Sequence, residues 1–188
     1  MHAIMNTRQI QSGQMEEVVR VTRDQVMPII REQRGSKEGL VLADRNTSKL
    51  ITISLWETEA DLRAFVPPGY VDAVAAGPTT REVYEVIVEP VALGESQATC
   101  ARVHYRRIQP DKMDEAIRMF RETVVPAVRA QQGDAGGLIL ADRSAYKIIA
   151  MRMWTSEADR NASQPLGDID SLTVGPTIRE LYDVTLQK

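Results

Sequence analysis

The chain contains one sequence module twice, because residue n of the first 90 residues aligns with residue n + 98 of the last 90 without a gap. Of these 90 aligned pairs, 36 are identical. Residues 39–45 (GLVLADR) recur as residues 137–143 (GLILADR). Solenoid proteins generally need about three or more repeats, so two copies predict a tandem protein whose repeats pair with each other. The predicted repeats are residues 1–90 and 99–188, joined by a linker at 91–98 that is too short to separate independent domains.

The composition is that of a globular protein, and it argues against two classes of partner. Hydrophobic residues make up 43% of the chain, and no apolar run approaches the ~18 residues that a membrane span needs. A formal net charge of -3 offers no basic footprint for DNA or RNA. We therefore expect neither a membrane nor a nucleic acid as partner. The single cysteine, Cys100, and the lack of a signal-peptide pattern predict a cytoplasmic location.

Hydrophobic periodicity predicts the same order of elements, βαββαβ, in both repeats. In the first repeat these are a strand at 3–10, a helix at 15–30, a hairpin of 40–43 with 50–56, a short helix after residue 58 and a final strand at 81–89. Pro28 and Pro126 lie inside the first helix of each repeat, where proline costs about 3 kcal/mol, and predict a kink or break. Thr58 and Ser156 each precede a carboxylate by three residues, as helix N-caps do.

Several equivalent residues have both a functional and a structural interpretation. They are the pairs Asp44-Arg45 and Asp142-Arg143, the pairs Arg81-Glu82 and Arg179-Glu180, and the tyrosines Tyr84 and Tyr182. The first pairs either bind an anion or form a hairpin turn. The second either orient a carboxylate or form surface ion pairs. The tyrosines are either catalytic or part of the core. The residue types favour the structural interpretation in each case.

Two tryptophans, Trp56 and Trp154, end equivalent predicted strands just before a short helix. Either they pack in the core, or they line a cleft between the sheet and the helices. Because residues two apart share a face of a strand, Trp56 lies beside Ser54, and Trp154 lies beside Arg152. Small or polar neighbours of a large aromatic side chain leave room for a ligand and supply the polar groups that a pocket needs.

The first strand of each repeat adds polar residues on one face. Asn6 and Arg8 in the first repeat correspond to His104 and Arg106 in the second. An amide only orients a substrate, whereas an imidazole also titrates near neutral pH. A lone histidine on a strand is either a structural group or an acid-base catalyst. If both repeats contain a pocket, the two pockets differ in their chemistry.

The chain resembles the antibiotic biosynthesis monooxygenase-like domains. The resemblance lies in the βαββαβ order, in residues 55–63 (LWETEADLR) and in residues 77–86 (GPTTREVYEV), and it covers both copies. This family belongs to the dimeric α/β-barrel group of ferredoxin-like folds. The resemblance implies an α+β protein in which two ferredoxin-like repeats form an intramolecular, pseudo-dimeric barrel with antiparallel sheets. The chain then carries both halves of the usual dimer, and further homo-oligomers are compatible with it.

The resemblance also implies a chemistry. The family includes cofactor-independent oxygenases of phenolic or anthrone-type polyketides, quinol oxygenases and haem-degrading enzymes. In the first two groups the protein helps to form an electron-rich substrate anion that itself reduces O2, so no cofactor and no metal are implied. Asn6 and Trp56 match an Asn and a Trp of the haem-degrading branch, but residues 58–76 and 155–174 contain no counterpart of its iron-binding His.

Three hypotheses follow from these residues. In the first, the protein is a cofactor-independent monooxygenase for a small aromatic ligand. Its predicted catalytic residues are Asn6, Trp56, His104 and Trp154, and its predicted substrate-binding residues are Arg8, Ser54, Arg106 and Arg152. In the second, the protein binds a small molecule without turnover. In the third, its surface serves assembly only.

Overall fold

The structure is a computed structural model that describes residues 1–66, 79–88, 97–164 and 168–187. The first repeat contains β1 (His2–Gln9), α1 (Met15–Val21), a π-helical segment (Thr22–Val26), α2 (Met27–Arg31), β2 (Ser36–Asp44), β3 (Lys49–Trp56), α3 (Glu59–Ala64) and β4 (Thr80–Val88). The second contains β5 (Cys100–Arg107), a 3-10 turn (Pro110–Lys112), α4 (Met113–Met119), a π-helical segment (Phe120–Val124), α5 (Val125–Arg129), β6 (Asp134–Asp142), β7 (Lys147–Trp154), α6 (Glu157–Ala162), a 3-10 turn (Ile169–Leu172) and β8 (Ile178–Gln187). Residues 91–96 of the predicted linker lie outside the described residues.

The eight strands that the described residues form are hydrogen-bonded in the closed order β1-β3-β2-β8-β5-β7-β6-β4. The hairpin partners β2 and β3 pair antiparallel from Asp44 opposite Lys49, and β6 and β7 pair in the same way from Asp142 opposite Lys147. This closed order, with helices between the strands, confirms the predicted α+β barrel of two ferredoxin-like repeats.

The described residues divide into two compact units that do not coincide with the two repeats. One unit comprises residues 1–66, 79–84 and 182–187, and the other comprises 85–88, 97–164 and 168–181. In the first unit, β2 pairs with the end of β8, where Val41 lies opposite Leu186. In the second unit, β6 pairs with the end of β4, where Leu140 lies opposite Val86. Each unit therefore includes the end of the other repeat's final strand.

The helix that contains Pro28 does not break at the proline, and the equivalent helix around Pro126 behaves in the same way. The π-helical segment comes just before each proline, and the N–H of Met27 reaches back five residues to the carbonyl of Thr22. Pro28 then lies in the first turn of α2, where its missing N–H costs least. The change of hydrogen-bond pattern therefore replaces the predicted break.

Side chains at the turns and helix starts support the structural interpretation of the sequence. Oδ1 of Asp44 accepts hydrogen bonds from the backbone N–H groups of Asn46 (2.9 Å) and Thr47 (3.2 Å). The hydroxyl oxygens of Thr58 and Ser156 each accept a hydrogen bond from an N–H three residues later, at 3.1 Å. These contacts stabilise the hairpin turn and the starts of α3 and α6.

Each unit has its own apolar core between its helices and strands. In the first unit this core includes Val18, Met27, Ile30, Trp56 and Phe65. The core of the second unit has Ile108, Ala116, Phe120, Ile148 and Leu172 among its members. Among the described helices, none is both long and apolar enough to span a membrane.

Candidate functional site

Alternate residues of β5 line a cavity in the second unit. Arg102, His104 and Arg106 all contribute to its wall, because side chains two residues apart share one face of a strand. The cavity has a volume of about 290 Å³, close to the lower end of the range of roughly 300–1,000 Å³ for small-molecule pockets. At a rise of about 3.4 Å per residue, the Cα atoms of Arg102 and Arg106 are about 14 Å apart. The strand therefore runs along the cavity.

The neighbouring strand β7 completes this face of the wall with Ala150, Arg152 and Trp154. In the antiparallel register, Arg102 lies opposite Arg152, and His104 lies opposite Ala150. Two arginines are thus placed side by side next to the tryptophan. Beside His104, the small side chain of Ala150 leaves space open.

The helices and β6 supply further residues of the wall, among them several with small side chains. Val125 and Val128 come from α5, Ser163 follows α6, and Gly136 comes from β6. Gly136 has a φ of +93°, a conformation that glycine adopts without the cost that a Cβ would bring. The wall therefore has no side chain at this point of β6.

The first unit has larger residues at the equivalent positions. Val125, Gly136 and Ser163 correspond to Met27, Glu38 and Phe65. Met27 is 1% exposed and Phe65 is 8% exposed, and both belong to the apolar core. The ring centroid of Phe65 lies 5.2 Å from that of Trp56. Trp56 in the first unit is therefore covered by side chains of the protein, whereas the equivalent Trp154 in the second unit lines a cavity.

The four predicted site residues of the first repeat lie together, in contact with one another or with Thr52. Asn6 donates to the hydroxyl of Thr52 at 3.4 Å, and Arg8 donates to the same oxygen at 3.5 Å. Trp56 Nε1 donates to Ser54 Oγ at 2.9 Å. None of the four lines the cavity of the second unit. Their role in a site stays a prediction.

The four predicted residues of the second repeat, His104, Arg106, Arg152 and Trp154, all line the cavity. Three further arginines that the sequence did not predict as site residues, Arg102, Arg129 and Arg179, line it as well. Arg102 replaces Ile4 of the first repeat, and this change from an apolar to a charged residue on the same strand face was an available signal. For Arg179 the sequence favours a surface ion pair over a role in orienting a carboxylate, and the place of Arg179 beside His104 depends on how β8 lies against β5.

The cavity wall carries more positive than negative charge. Five arginines line it, at positions 102, 106, 129, 152 and 179, against two aspartates at 134 and 170. Arg152 Nη2 lies 3.0 Å from Asp134 Oδ1, and Arg106 Nε lies 3.2 Å from Asp170 Oδ1. Burial lowers the pKa of Arg106 and Arg152, yet arginine stays charged at neutral pH. With two arginines paired, the excess charge favours an anionic ligand.

The indole of Trp154 is surrounded by hydrogen-bond donors. The guanidinium carbons of Arg102 and Arg152 lie 5.2 and 4.8 Å from its ring centroid. Trp154 Nε1 and Arg102 Nε are buried, and neither has a hydrogen-bond partner among the described residues. In the first repeat the equivalent indole N–H donates to Ser54, but Arg152 replaces that serine and offers no acceptor. The replacement therefore leaves an unsatisfied donor at the cavity wall.

His104 is held in its neutral form. Burial, together with the charges of Arg106, Arg179 and Arg102, lowers the pKa of His104 from 6.5 to about 3. Arg179 Nε donates to His104 Nε2 at 3.0 Å, so the remaining proton of the neutral ring is on Nδ1. A neutral imidazole whose acceptor nitrogen is already bonded is a hydrogen-bonding group rather than a strong base.

The low pKa of His104 predicts a pH-dependent stability that Asn at this position removes. Between about pH 6.5 and pH 3 the unfolded histidine is protonated and the folded one is not, so the free energy of unfolding falls as the pH falls, by up to about 1.4 kcal/mol per unit. We expect His104→Asn, which introduces the residue of the first repeat, to reduce this slope. Urea unfolding of wild-type protein and of His104→Asn at several pH values between 4 and 7 measures this slope. The carboxylates that titrate in this range are the same in both proteins, so their effect cancels when the two free energies of unfolding are subtracted. Parallel pH profiles would show that His104 is not held neutral.

The comparisons with known proteins point to one fold. No family model matches the chain. An uncharacterized protein of Mycobacterium tuberculosis is 24% identical over 170 residues, which cover 87% of this chain and 76% of the relative.

Within the described residues there is no cluster of three or more His, Cys, Asp or Glu side chains placed to hold a metal ion.

Three solved structures align over almost the whole chain. A candidate monooxygenase of Fusobacterium nucleatum has a TM-score of 0.75 at 10% identity and covers 100% of this chain and 93% of its own. An anthrone oxidase-like protein has a TM-score of 0.66 at 11% identity, with 100% and 92% covered. A ferredoxin-fold protein of Listeria monocytogenes, related to antibiotic biosynthesis monooxygenases, has a TM-score of 0.61 at 10% identity, with 98% and 94% covered. The chain therefore has the fold of the antibiotic biosynthesis monooxygenase-like proteins, as a tandem duplication of their ferredoxin-like domain.

Proposed function

We propose that the second unit binds a small aromatic molecule as its anion, a phenolate or enolate, and that it is a cofactor-independent monooxygenase of that anion. The observation that carries the proposal is the excess of arginine around a cavity that Trp154 also lines. An aromatic wall suits a flat apolar ligand, and the guanidinium groups suit its negative charge.

The arginines would promote ionisation of the ligand. An opposite charge within about 4–6 Å lowers the pKa of an acidic group by roughly 1–3 units. Arg106 and Arg179 line the cavity together with His104, so they would act on a hydroxyl bound near His104, and the Nδ1–H of His104 would be a further donor. In this arrangement the ligand loses its proton to solvent because its anion is stabilised, and His104 orients the anion without taking the proton.

An electron-rich anion can itself reduce O2. For a methylene group between two aromatic rings, one atom of O2 becomes the oxygen of a new carbonyl at the methylene carbon. The other atom of O2 leaves as water together with the two methylene hydrogens. The substrate supplies all four electrons, so the step balances without another reductant. The likeness of the fold to an anthrone oxidase-like protein and to a candidate monooxygenase supports this class of reaction.

A second candidate function is binding of the same anion without turnover. The observation that favours it is the state of His104, whose low pKa and occupied Nε2 make the imidazole a poor base. In that case the protein is a binding protein for a small aromatic acid. Oxygen consumption distinguishes the two functions.

The test is oxygen uptake with an anthrone and a panel of phenols and quinols, measured with wild-type protein and with Arg106→Gln. We expect wild-type protein to consume O2 with at least one member, and Arg106→Gln to lower kcat/KM by at least about tenfold, since a charge that stabilises the anion is lost. Asp170, the partner of Arg106, is 70% exposed, so water can replace the lost contact. Binding without O2 uptake would favour the second function. If the protein showed no binding and no O2 uptake with any member of the panel, both functions would be refuted.

A further inference from the structure

The two ends of the cavity offer a ligand different groups. At one end, Arg106 and Arg179 flank His104, and Arg106 is paired with Asp170. At the other end, Arg102 and Arg152 lie over Trp154. Along β5 the Cα atom of Arg102 is about 7 Å from that of His104 and about 14 Å from that of Arg106. We call the group of Arg102, Arg152 and Trp154 the Arg102 end. A hydroxyl bound near His104 uses only the first of these two sets of groups.

The Arg102 end has donors in excess of acceptors. Arg102 Nη1 donates to Ser163 Oγ at 3.0 Å, and Nη2 donates to the carbonyl of Arg160 at 2.7 Å. Both of these acceptors are neutral. Asp134, an aspartate of the cavity wall, is engaged by Arg152 through both Nε and Nη2. The charge of Arg102 is therefore balanced by no carboxylate among these contacts.

Two buried N–H groups strengthen the argument that an acceptor binds here. Within the part of the chain that the structure describes, Arg102 Nε and Trp154 Nε1 have no hydrogen-bond partner, and Trp154 is only 1% exposed. A buried donor without a partner has lost its hydrogen bonds to water and destabilises the protein. A ligand oxygen that reached both donors would remove that cost.

We propose that the aromatic ligand carries a carboxylate in addition to its acidic hydroxyl, and that the Arg102 end binds this carboxylate. The inference rests on the proposed function, because it names the substrate class of the same cavity. A carboxylate has two oxygens in one plane, which suits a guanidinium and an indole N–H together. The separation of the two ends places the carboxylate and the hydroxyl at opposite ends of the ring system.

The test compares three probes of the same ring system by calorimetry: 6-hydroxy-2-naphthoate, its methyl ester and 2-naphthol. We expect wild-type protein to bind the carboxylate at least about tenfold more tightly than either analogue that lacks it, because a hydrogen bond to a charged group is stronger than one to a neutral group. Arg102→Gln should remove this preference, so that the carboxylate and its methyl ester bind this variant about equally.

The matched control is Arg107→Gln. Arg107 follows Arg106 on β5, is exposed and does not line the cavity, so this variant loses the same charge from the same strand and should keep the preference. Equal affinities for the acid and its ester in wild-type protein would overturn the inference, and this comparison stands even if Arg102→Gln does not fold. An equal loss of preference in both variants would overturn it too.

The outcomes separate this inference from the proposed function. Binding of 2-naphthol without a preference for the carboxylate would refute the inference and leave the proposed function standing. A carboxylate preference without O2 uptake would support the inference and refute turnover. If no probe binds, both are wrong.

Discussion

Filling the cavity with the residues of the first repeat is expected to weaken ligand binding by at least about 100-fold, or about 2.7 kcal/mol. The double substitution is Val125→Met and Ser163→Phe. At the equivalent positions, Met27 and Phe65 are buried in the core of the first unit, and Phe65 packs on Trp56. The same side chains in the second unit should cover Trp154 and occupy the space of the ligand. Neither substitution changes a charge, although Ser163→Phe removes the hydroxyl that accepts a hydrogen bond from Arg102.

Absorbance titration with 4-nitrophenol measures this effect, and thermal unfolding checks that the variant folds. Ala127→Ile is the matched control, because it also introduces a first-repeat residue into α5, but at an exposed position outside the cavity wall. We expect this control to bind as wild-type protein does. Unchanged binding by the filled variant would show that the ligand lies elsewhere.

Loss of the Arg152 side chain is expected to destabilise the protein by about 3–5 kcal/mol, because it leaves a buried charge without its partner. Asp134 is 9% exposed and bonds to Arg152, and Arg152 also donates to the carbonyl of Val128 at 2.7 Å. We expect Arg152→Ser, which introduces the residue of the first repeat, to lower Tm by roughly 6–20 °C. Urea unfolding gives the free energy directly.

A second substitution distinguishes the ion pair from packing. The first repeat has Ser36 and Ser54 at the positions of Asp134 and Arg152. The double variant Asp134→Ser with Arg152→Ser should therefore recover a large part of the lost stability, because no unpaired carboxylate remains. If the double variant is as unstable as Arg152→Ser alone, the loss comes from packing, and the account of this pair is wrong.

The order of elements could be predicted from sequence because each element depends on local patterns. The β2–β3 hairpin follows from two apolar runs around Asp44, and the starts of α3 and α6 follow from Thr58 and Ser156. The π-helical segment before Pro28 could not be predicted, because proline excludes one hydrogen bond without fixing which pattern replaces it. The pairing of β4 with β6 and of β8 with β2 joins residues far apart in sequence, which local periodicity does not specify.

The candidate site could be predicted in part. Strand alternation correctly grouped His104 with Arg106 and Arg152 with Trp154, because neighbours on one face share one environment. Trp154 lines a cavity whereas a side chain packs on Trp56, because residues from several elements differ between the two repeats. For example, the second repeat has Val125 and Ser163 where the first has Met27 and Phe65. Only the folded chain shows that these side chains meet the tryptophan. The low pKa of His104 likewise results from burial and from arginines on other strands.

The central claim is that the second unit binds an aromatic acid as its anion. The most direct measurement is the absorbance of 4-nitrophenol, whose ionised form absorbs in the visible range, at a pH about one unit below its pKa in solution. Because nearby arginines lower the pKa of a bound acid, we predict that wild-type protein converts bound 4-nitrophenol to the anion, with a saturable rise in visible absorbance that the filled variant lacks. Binding of the neutral phenol without this rise, or an equal rise with the filled variant, would contradict the account.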